Sequence, residues 1–486
     1  MILLYTDVAH TPGIGKYAGT YKIATELRLA GYDTQVIDNL RWMGLKRLKQ
    51  TLDKFLTKET LFIGVSNTLL TNAREKGEWG ITNEDFKSFI RYAKKINPNV
   101  KIVAGGAGIT RLSDWSYVDY AILNKGDNAI VALADYLKNG GDLKYTQNPI
   151  NTRLIDGDDY FYTQEEFSRS KIIFEHKDIV LSGEALPIEI ARGCIFKCAY
   201  CYFDLIGKKV GDWTKTEETL YEELMYNYKI FGTTQYMVSD ELVNESLEKL
   251  EMIVRVAERL PFKFEYTAYA RIDLIHRYPE MIQLLKRSGA IGLAFGIETF
   301  NHQAGKAVGK GMDPNRVKEL LYMCKKEWQD DIIISGNFIM GLPGESLASF
   351  MQTVDWLMEP DCPIDIFELN LLNMKATSGG KLGNKMGDDP EKYGYIVDRK
   401  NKTWSNKEMS KEEANALMWQ LKKSPEMQQK RKFMSATYIG RILSLGYTVS
   451  DIFDMNRNMS WSNALTQVRL RSNIKKQEYF ERLMKL

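Results

Sequence analysis

The stretch Arg192-Gly193-Cys194-Ile195-Phe196-Lys197-Cys198-Ala199-Tyr200-Cys201 decides the reading of this chain. It places three cysteines in the spacing Cys-x3-Cys-x2-Cys, directly after an apolar segment, residues 186–191, that reads as a strand. A short loop with this spacing turns three sulfurs to one side. Soft thiolates so arranged suit iron–sulfur chemistry. They reach three corners of a cubane, and with no fourth cysteine nearby one iron stays open to another ligand. The competing assignment is a structural zinc site. Zinc takes four ligands, usually in paired Cys or His arms. His176 lies upstream in another segment and His276 far downstream, so that site lacks its second arm.

Downstream of the triplet, helix and strand signals alternate to about residue 375. Helical patterns over 216–231, 244–259, 279–287, 314–328 and 346–358 precede apolar runs at 235–239, 263–269, 291–297, 332–340 and 365–372. With the strand before Cys194 this makes six strands, and a (β/α)6 partial barrel is expected. Barrels of this kind carry chemistry at the carboxyl ends of their strands. The residues there are Asp240 and Glu241, Arg271, Glu298 in Gly296-Ile297-Glu298-Thr299, and Gly341 in Gly341-Leu342-Pro343-Gly344-Glu345. Each has a structural alternative. Asp240 or Glu241 would cap the next helix, Glu345 would sit well in a first helical turn, and Arg271 would make a surface ion pair.

Upstream, the first 140 residues also alternate. Strand signals at 2–5, 34–37, 61–66, 101–104 and 118–123 are interleaved with helical ones at 17–29, 84–96 and 127–137. That alternation predicts a doubly wound parallel sheet, which binds ligands beyond the carboxyl ends of its strands. Those ends carry residues 10–15 with His10, Ser66 to Leu69 with Thr68, and Gly105 to Gly108 with Gly105-Gly106. Residues 141–185 read as a linker with a turn cluster at Asp156-Gly157-Asp158-Asp159.

The cysteine triplet closely resembles that of radical S-adenosylmethionine (SAM) enzymes. The strand ends upstream resemble the cobalamin-binding domain of the cobalamin-dependent branch: a Ser/Thr loop at Ser66 and Thr68, a Gly105-Gly106 turn, and Gly126-Asp127 opening the last helix. The resemblance covers nearly residues 1–375. It implies an α/β chain with a Rossmann-like cobalamin-binding-like domain (1–140), a linker (141–185), and a (β/α)6 partial TIM barrel core (186–375). It also implies a 4Fe-4S cluster on Cys194, Cys198 and Cys201, with SAM chelating the open iron and cleaved by one electron to a 5′-deoxyadenosyl radical. Tyr200 would lie along the adenine. Asp240 and Glu241 would hold the SAM amino group, although the family's glycines are absent there. Glu298 would accept from the ribose hydroxyls, the Gly341 backbone would meet the adenine, and Arg271 would reach a carboxylate or substrate anion. Ser66, Thr68, Gly105 and Gly106 would approach cobalamin. The cobalamin mutases' Asp-x-His-x-x-Gly is absent, which leaves His10 in doubt as an axial ligand and leaves a packing-only role open for this domain. The implied reaction is methylation of an unactivated carbon. Cobalamin-independent rearrangement, epimerisation or dehydrogenation stays open, as does a non-catalytic cofactor-binding regulator. A flavodoxin- or ferredoxin-type electron donor is the implied partner.

From residue 376 to 486 the pattern turns mainly helical, over 411–421, 427–445 and 461–484. Residues 401–486 carry 16 Lys and Arg against 8 Asp and Glu, in a chain whose net charge is only +3. This stretch would cover the barrel mouth and help bind an anionic substrate, a small molecule, a nucleotide or a nucleic acid, or be a solvated basic face; no dedicated nucleic-acid-binding motif accompanies it. Five cysteines in 486 residues do not make a secreted disulfide scaffold. Met1-Ile2-Leu3-Leu4-Tyr5 is too short for a signal peptide. No apolar run of roughly 20 residues marks a membrane span, so a cytoplasmic setting is expected. Cys324 and Cys362 read as core residues.

Overall fold

Ile2–Tyr5 (β1) is a run of four apolar residues, all buried, as a parallel strand covered on both faces requires. In this computed structural model, which describes residues 1–7, 13–66, 83–106, 117–148, 151–202, 208–377, 383–430 and 436–486, β1 lies inside the first of three sheets among the described residues. Its neighbours are Thr34–Ile37 (β2) and Phe62–Ser66 (β3), both parallel to it. Lys101–Gly105 (β4) and Tyr120–Leu123 (β5) continue the parallel sheet. Thr146–Gln147 (β6) and Arg153–Asp156 (β7) complete it, in the order β2-β1-β3-β4-β5-β7-β6. The strand order reverses between β1 and β3, the switch point at which such sheets bind ligands.

The first unit comprises Met1–Ser182 together with Ser472–Leu486. Residues 141–182, expected as a linker, thus supply the last two strands of this sheet. The end of the chain also belongs here. The Tyr479 hydroxyl accepts from the Asp38 amide at 2.9 Å, and the buried Lys16 ammonium donates to the Asp38 carboxylate at 2.9 Å and lies over the Tyr479 ring. Leu40–Phe55 is a helix that the sequence pattern did not announce. Gly44 interrupts it with φ +62°, breaking the apolar period.

The second unit, Gly183–Ser378 with Leu382–Arg471, holds the second sheet. Its strands are Leu186–Ile188 (β8), Gln235–Val238 (β9), Glu265–Ala270 (β10), Ala290–Glu298 (β11), Ile333–Met340 (β12) and Ile366–Leu371 (β13). All pair in parallel and in chain order, from β13 to β8. Helices such as Glu217–Phe231 and Leu247–Arg259 join them, capped by Thr216 and Ser246. This is the open (β/α)6 arrangement expected.

Ile396–Asp398 (β14) and Thr403–Ser405 (β15) form a separate hairpin. Of the helix expected over 427–445, Pro425–Lys430 and Ala436–Leu443 are helical, and residues 431–435 lie outside the described residues. A Cβ on Gly440 would stand 2.3 Å from Cγ of Met237, and one on Gly292 would stand 3.0 Å from Ile439. The helix Ala436–Leu443 therefore packs backbone-close against β9 and β11. Val449–Asn458 and Trp461–Leu483 follow as helices. No helix among the described residues is long and apolar enough to cross a membrane.

Candidate functional site

The loop after β8 carries the three cysteines, all thiols and half-buried. Its backbone is clamped from several sides. Asp240, at the end of β9, accepts from the amides of Ile190 at 2.7 Å and Ala191 at 2.9 Å. The buried ammonium of Lys249 donates to the same carboxylate at 2.6 Å. Asp240 therefore neither caps a helix nor turns outward; its oxygens hold the strand that leads to Cys194. Glu241 accepts from the Gly193 amide at 2.9 Å, at a glycine with φ +83°. Burial pushes the Glu241 carboxyl up to about 7, with the neighbouring Asp240 and Glu189 charges adding to the rise.

Further along the loop, the Ala199 amide donates to the Val308 carbonyl at 3.1 Å. Asn384 donates to the Tyr200 carbonyl at 2.9 Å and Lys385 to that of Lys197 at 2.8 Å. The Tyr200 hydroxyl turns to the barrel and donates to Glu298 Oε1 at 2.7 Å. Glu298 ends β11 with φ +71°, where the register against β12 shifts. A non-glycine residue held there costs on the order of 1–3 kcal/mol, and such residues cluster at functional sites. Burial pushes the Glu298 carboxyl up, and the Lys310 charge works against that.

Lys310 gave no signal in the sequence. Its ammonium donates to the Gly296 carbonyl at 2.6 Å. Burial lowers its pKa, the Arg271 charge adds to that, and Glu298, Cys198 and Asp273 oppose it. Arg271 follows β10 and is no surface ion pair. It is buried, its Nη1 lies 3.3 Å from Sγ of Cys198, and Asp273 takes Nε at 2.9 Å. A cavity of about 380 Å³ beside the loop is lined by Ile195, Phe196, Asp273 and Arg277 among others, within the size range of small-molecule sites.

The turn after β12 is placed differently from expectation. The Gly341 carbonyl accepts from the Tyr395 hydroxyl. Gly341 has φ +98°, and a Cβ there would stand 2.4 Å from the Trp404 ring. This carbonyl is thus engaged within the protein, under the β14–β15 hairpin. Glu345, in the same turn, accepts from Thr299 at 2.5 Å, and burial pushes its carboxyl up to about 8.

The structure therefore gathers Cys194, Cys198, Tyr200, Glu241, Arg271 and Glu298 around one loop, with Lys310 added. Three thiols on a clamped loop, with a guanidinium against one sulfur, form a donor set that fits an iron–sulfur cluster. Among the described residues no three His, Cys, Asp or Glu side chains converge on a single metal-ion position. In the first unit, Ser66 ends β3, and Gly105 ends β4 beside Gly106 with φ +117°. Among the described residues, its two chain neighbours aside, no atom lies within 4 Å of a Cβ built on Gly105. His10, Thr68, Ala107 and Gly108 lie outside the described residues.

Residues 188–357 match the radical SAM superfamily. The ribosomal protein uS12 methylthiotransferase RimO of Methylorubrum extorquens is 22% identical over 184 residues. That match spans 35% of this chain and 41% of RimO, less than half of the relative's length. Among solved structures, the radical SAM methyltransferase TsrM from Kitasatospora setae, bound to tryptophan and a SAM analogue, aligns with a TM-score of 0.59 at 15% identity. The alignment covers 98% of this chain and 99% of TsrM; TsrM has also been solved with cobalamin and a 4Fe-4S cluster. The cobalamin-dependent SAM radical enzyme OxsB aligns with a TM-score of 0.55 at 14% identity, over 91% of this chain and 65% of OxsB. These likenesses establish a shared fold. A radical SAM domain implies a 4Fe-4S cluster, SAM and a source of electrons. Residues 188–357 match such a domain.

Proposed function

We propose that the protein is a cobalamin-dependent radical SAM methyltransferase acting on an unactivated carbon of a small-molecule substrate. The observation that carries this reading is the shared fold with TsrM along both chains, first unit included. When bound, the cluster and SAM supply one-electron cleavage of a sulfonium bond, and cobalamin supplies a transferable methyl group.

The chain's residues would do the following. Cys194, Cys198 and Cys201 hold three irons. Glu298, held by Tyr200, presents a buried carboxylate to the ribose hydroxyls of SAM. Glu241 stands beside the loop for the SAM ammonium, a carboxylate facing a cation. Lys310 offers a buried ammonium to a carboxylate of SAM or substrate. Asp240 serves the loop instead of a ligand. In the first unit, Ser66, Gly105 and Gly106 would approach cobalamin at the carboxyl ends of β3 and β4. A flavodoxin or ferredoxin would supply the electron.

The test is anaerobic reconstitution with iron, sulfide and hydroxocobalamin, then desalting and an absorption spectrum. Corrin bands retained at close to one per chain support the reading. Iron retained without corrin would remove cobalamin and leave a cobalamin-independent radical reaction.

A further inference from the structure

We propose that Arg271 acts on the cluster itself, as a fixed hydrogen-bond donor to a cluster thiolate that sets the potential at which the cluster accepts its electron. The proposal rests on the cluster being held by Cys194, Cys198 and Cys201.

The guanidinium is pinned on every side. Nε and Nη2 donate to the two oxygens of Asp273 at 2.9 and 2.5 Å. The Phe196 ring lies against it, 3.6 Å from Cζ to the ring centroid. Asn244 fixes the backbone of Arg271 from both directions, accepting from its amide and donating to its carbonyl, each at 2.9 Å. The forked edge with which arginine clasps a carboxylate is therefore already filled by Asp273. Nη1 is the donor directed elsewhere, and it lies 3.3 Å from Sγ of Cys198.

Reduction moves one electron from an external one-electron donor to the cluster and breaks no bond there. It adds one negative charge to the iron, sulfide and thiolate ensemble. A positive donor held against a ligating sulfur stabilises the more negative state and so raises the potential. Hydrogen bonds to sulfur and burial are recognised determinants of cluster potentials. The guanidinium is buried, so water screens it little. Arg271 thus acts through the cluster and not on the substrate.

The experiment is an EPR-monitored dithionite titration of the reconstituted full chain, as wild type, R271K and R271Q, with iron content and SAM affinity measured on the same samples. R271Q is expected to keep its iron and its SAM affinity, and to show a midpoint more negative than wild type. R271K, which keeps the charge without the fork, is expected between the two. An unchanged midpoint in R271Q would overturn the proposal. So would lost SAM affinity at an unchanged midpoint, which would make Arg271 a SAM ligand, or iron loss in both variants, which would make it an assembly residue. Wild-type protein without iron would sink the cluster reading instead.

Discussion

The hydroxyl of Tyr200 donates to Glu298 Oε1 at 2.7 Å, linking the cysteine loop to the strained end of β11. Glu298 is buried and needs donors. Tyr200 supplies one, and the ribose of SAM would supply others. Replacing Glu298 with Gln removes a charged acceptor, whose hydrogen bonds contribute about 1.5–3 kcal/mol each. E298Q is expected to weaken SAM binding to the reconstituted protein by about 10–100-fold, and Y200F by less. Calorimetry would measure both. Wild-type affinity in E298Q would contradict the assignment.

The cysteines separate into two classes. C194A, C198A and C201A should each fold and fail to retain iron. C324A should retain it, since Cys324 is a buried core thiol that burial pushes up to about 12. C362A should retain it as well. Iron and sulfide analysis of the five variants decides the point.

Asp240 and Lys249 form an ion pair with side chains only 2% and 3% exposed. Removing one partner from such a pair strands a charge and typically costs about 3–5 kcal/mol. D240A should lose about that much stability in urea denaturation and should reconstitute its cluster poorly, because the Ile190 and Ala191 amides lose their acceptor. A change below about 1 kcal/mol, as for an exposed pair, would show that the carboxylate is not spent on the loop.

Glu345 predicts a pH effect. Its carboxyl, ordinarily at 4.5, is raised to about 8 by burial. The folded state therefore holds a proton that the unfolded chain has released, and stability falls as pH rises between those two values. E345Q mimics the protonated form. Its melting temperature should depend less on pH between about 5 and 8 than that of wild type, with the gain largest at the alkaline end. Parallel pH profiles would contradict this.

Much of this was legible in the sequence because it is local. The spacing of Cys194, Cys198 and Cys201 needs no partner to be read, and the apolar strands of the second unit lie within a few residues of where their pattern placed them. What escaped depends on distant contacts. Asp240 sits where a ligand carboxylate was expected, but its partners are backbone amides 49 and 50 residues away, which no pattern marks. Lys310 reaches Gly296 across a helix and a turn. Arg153–Asp156 reads as linker until it pairs with Tyr120–Leu123. The carbonyl of Gly341 is engaged by Tyr395, 54 positions on.

The most direct test of the central claim is the EPR spectrum of the reconstituted, dithionite-reduced protein with and without SAM. A radical SAM cluster on three thiolates should show about four irons per chain and a reduced-cluster signal whose g-values shift when SAM occupies the open iron. A protein without iron, or a cluster whose signal ignores SAM, would contradict it.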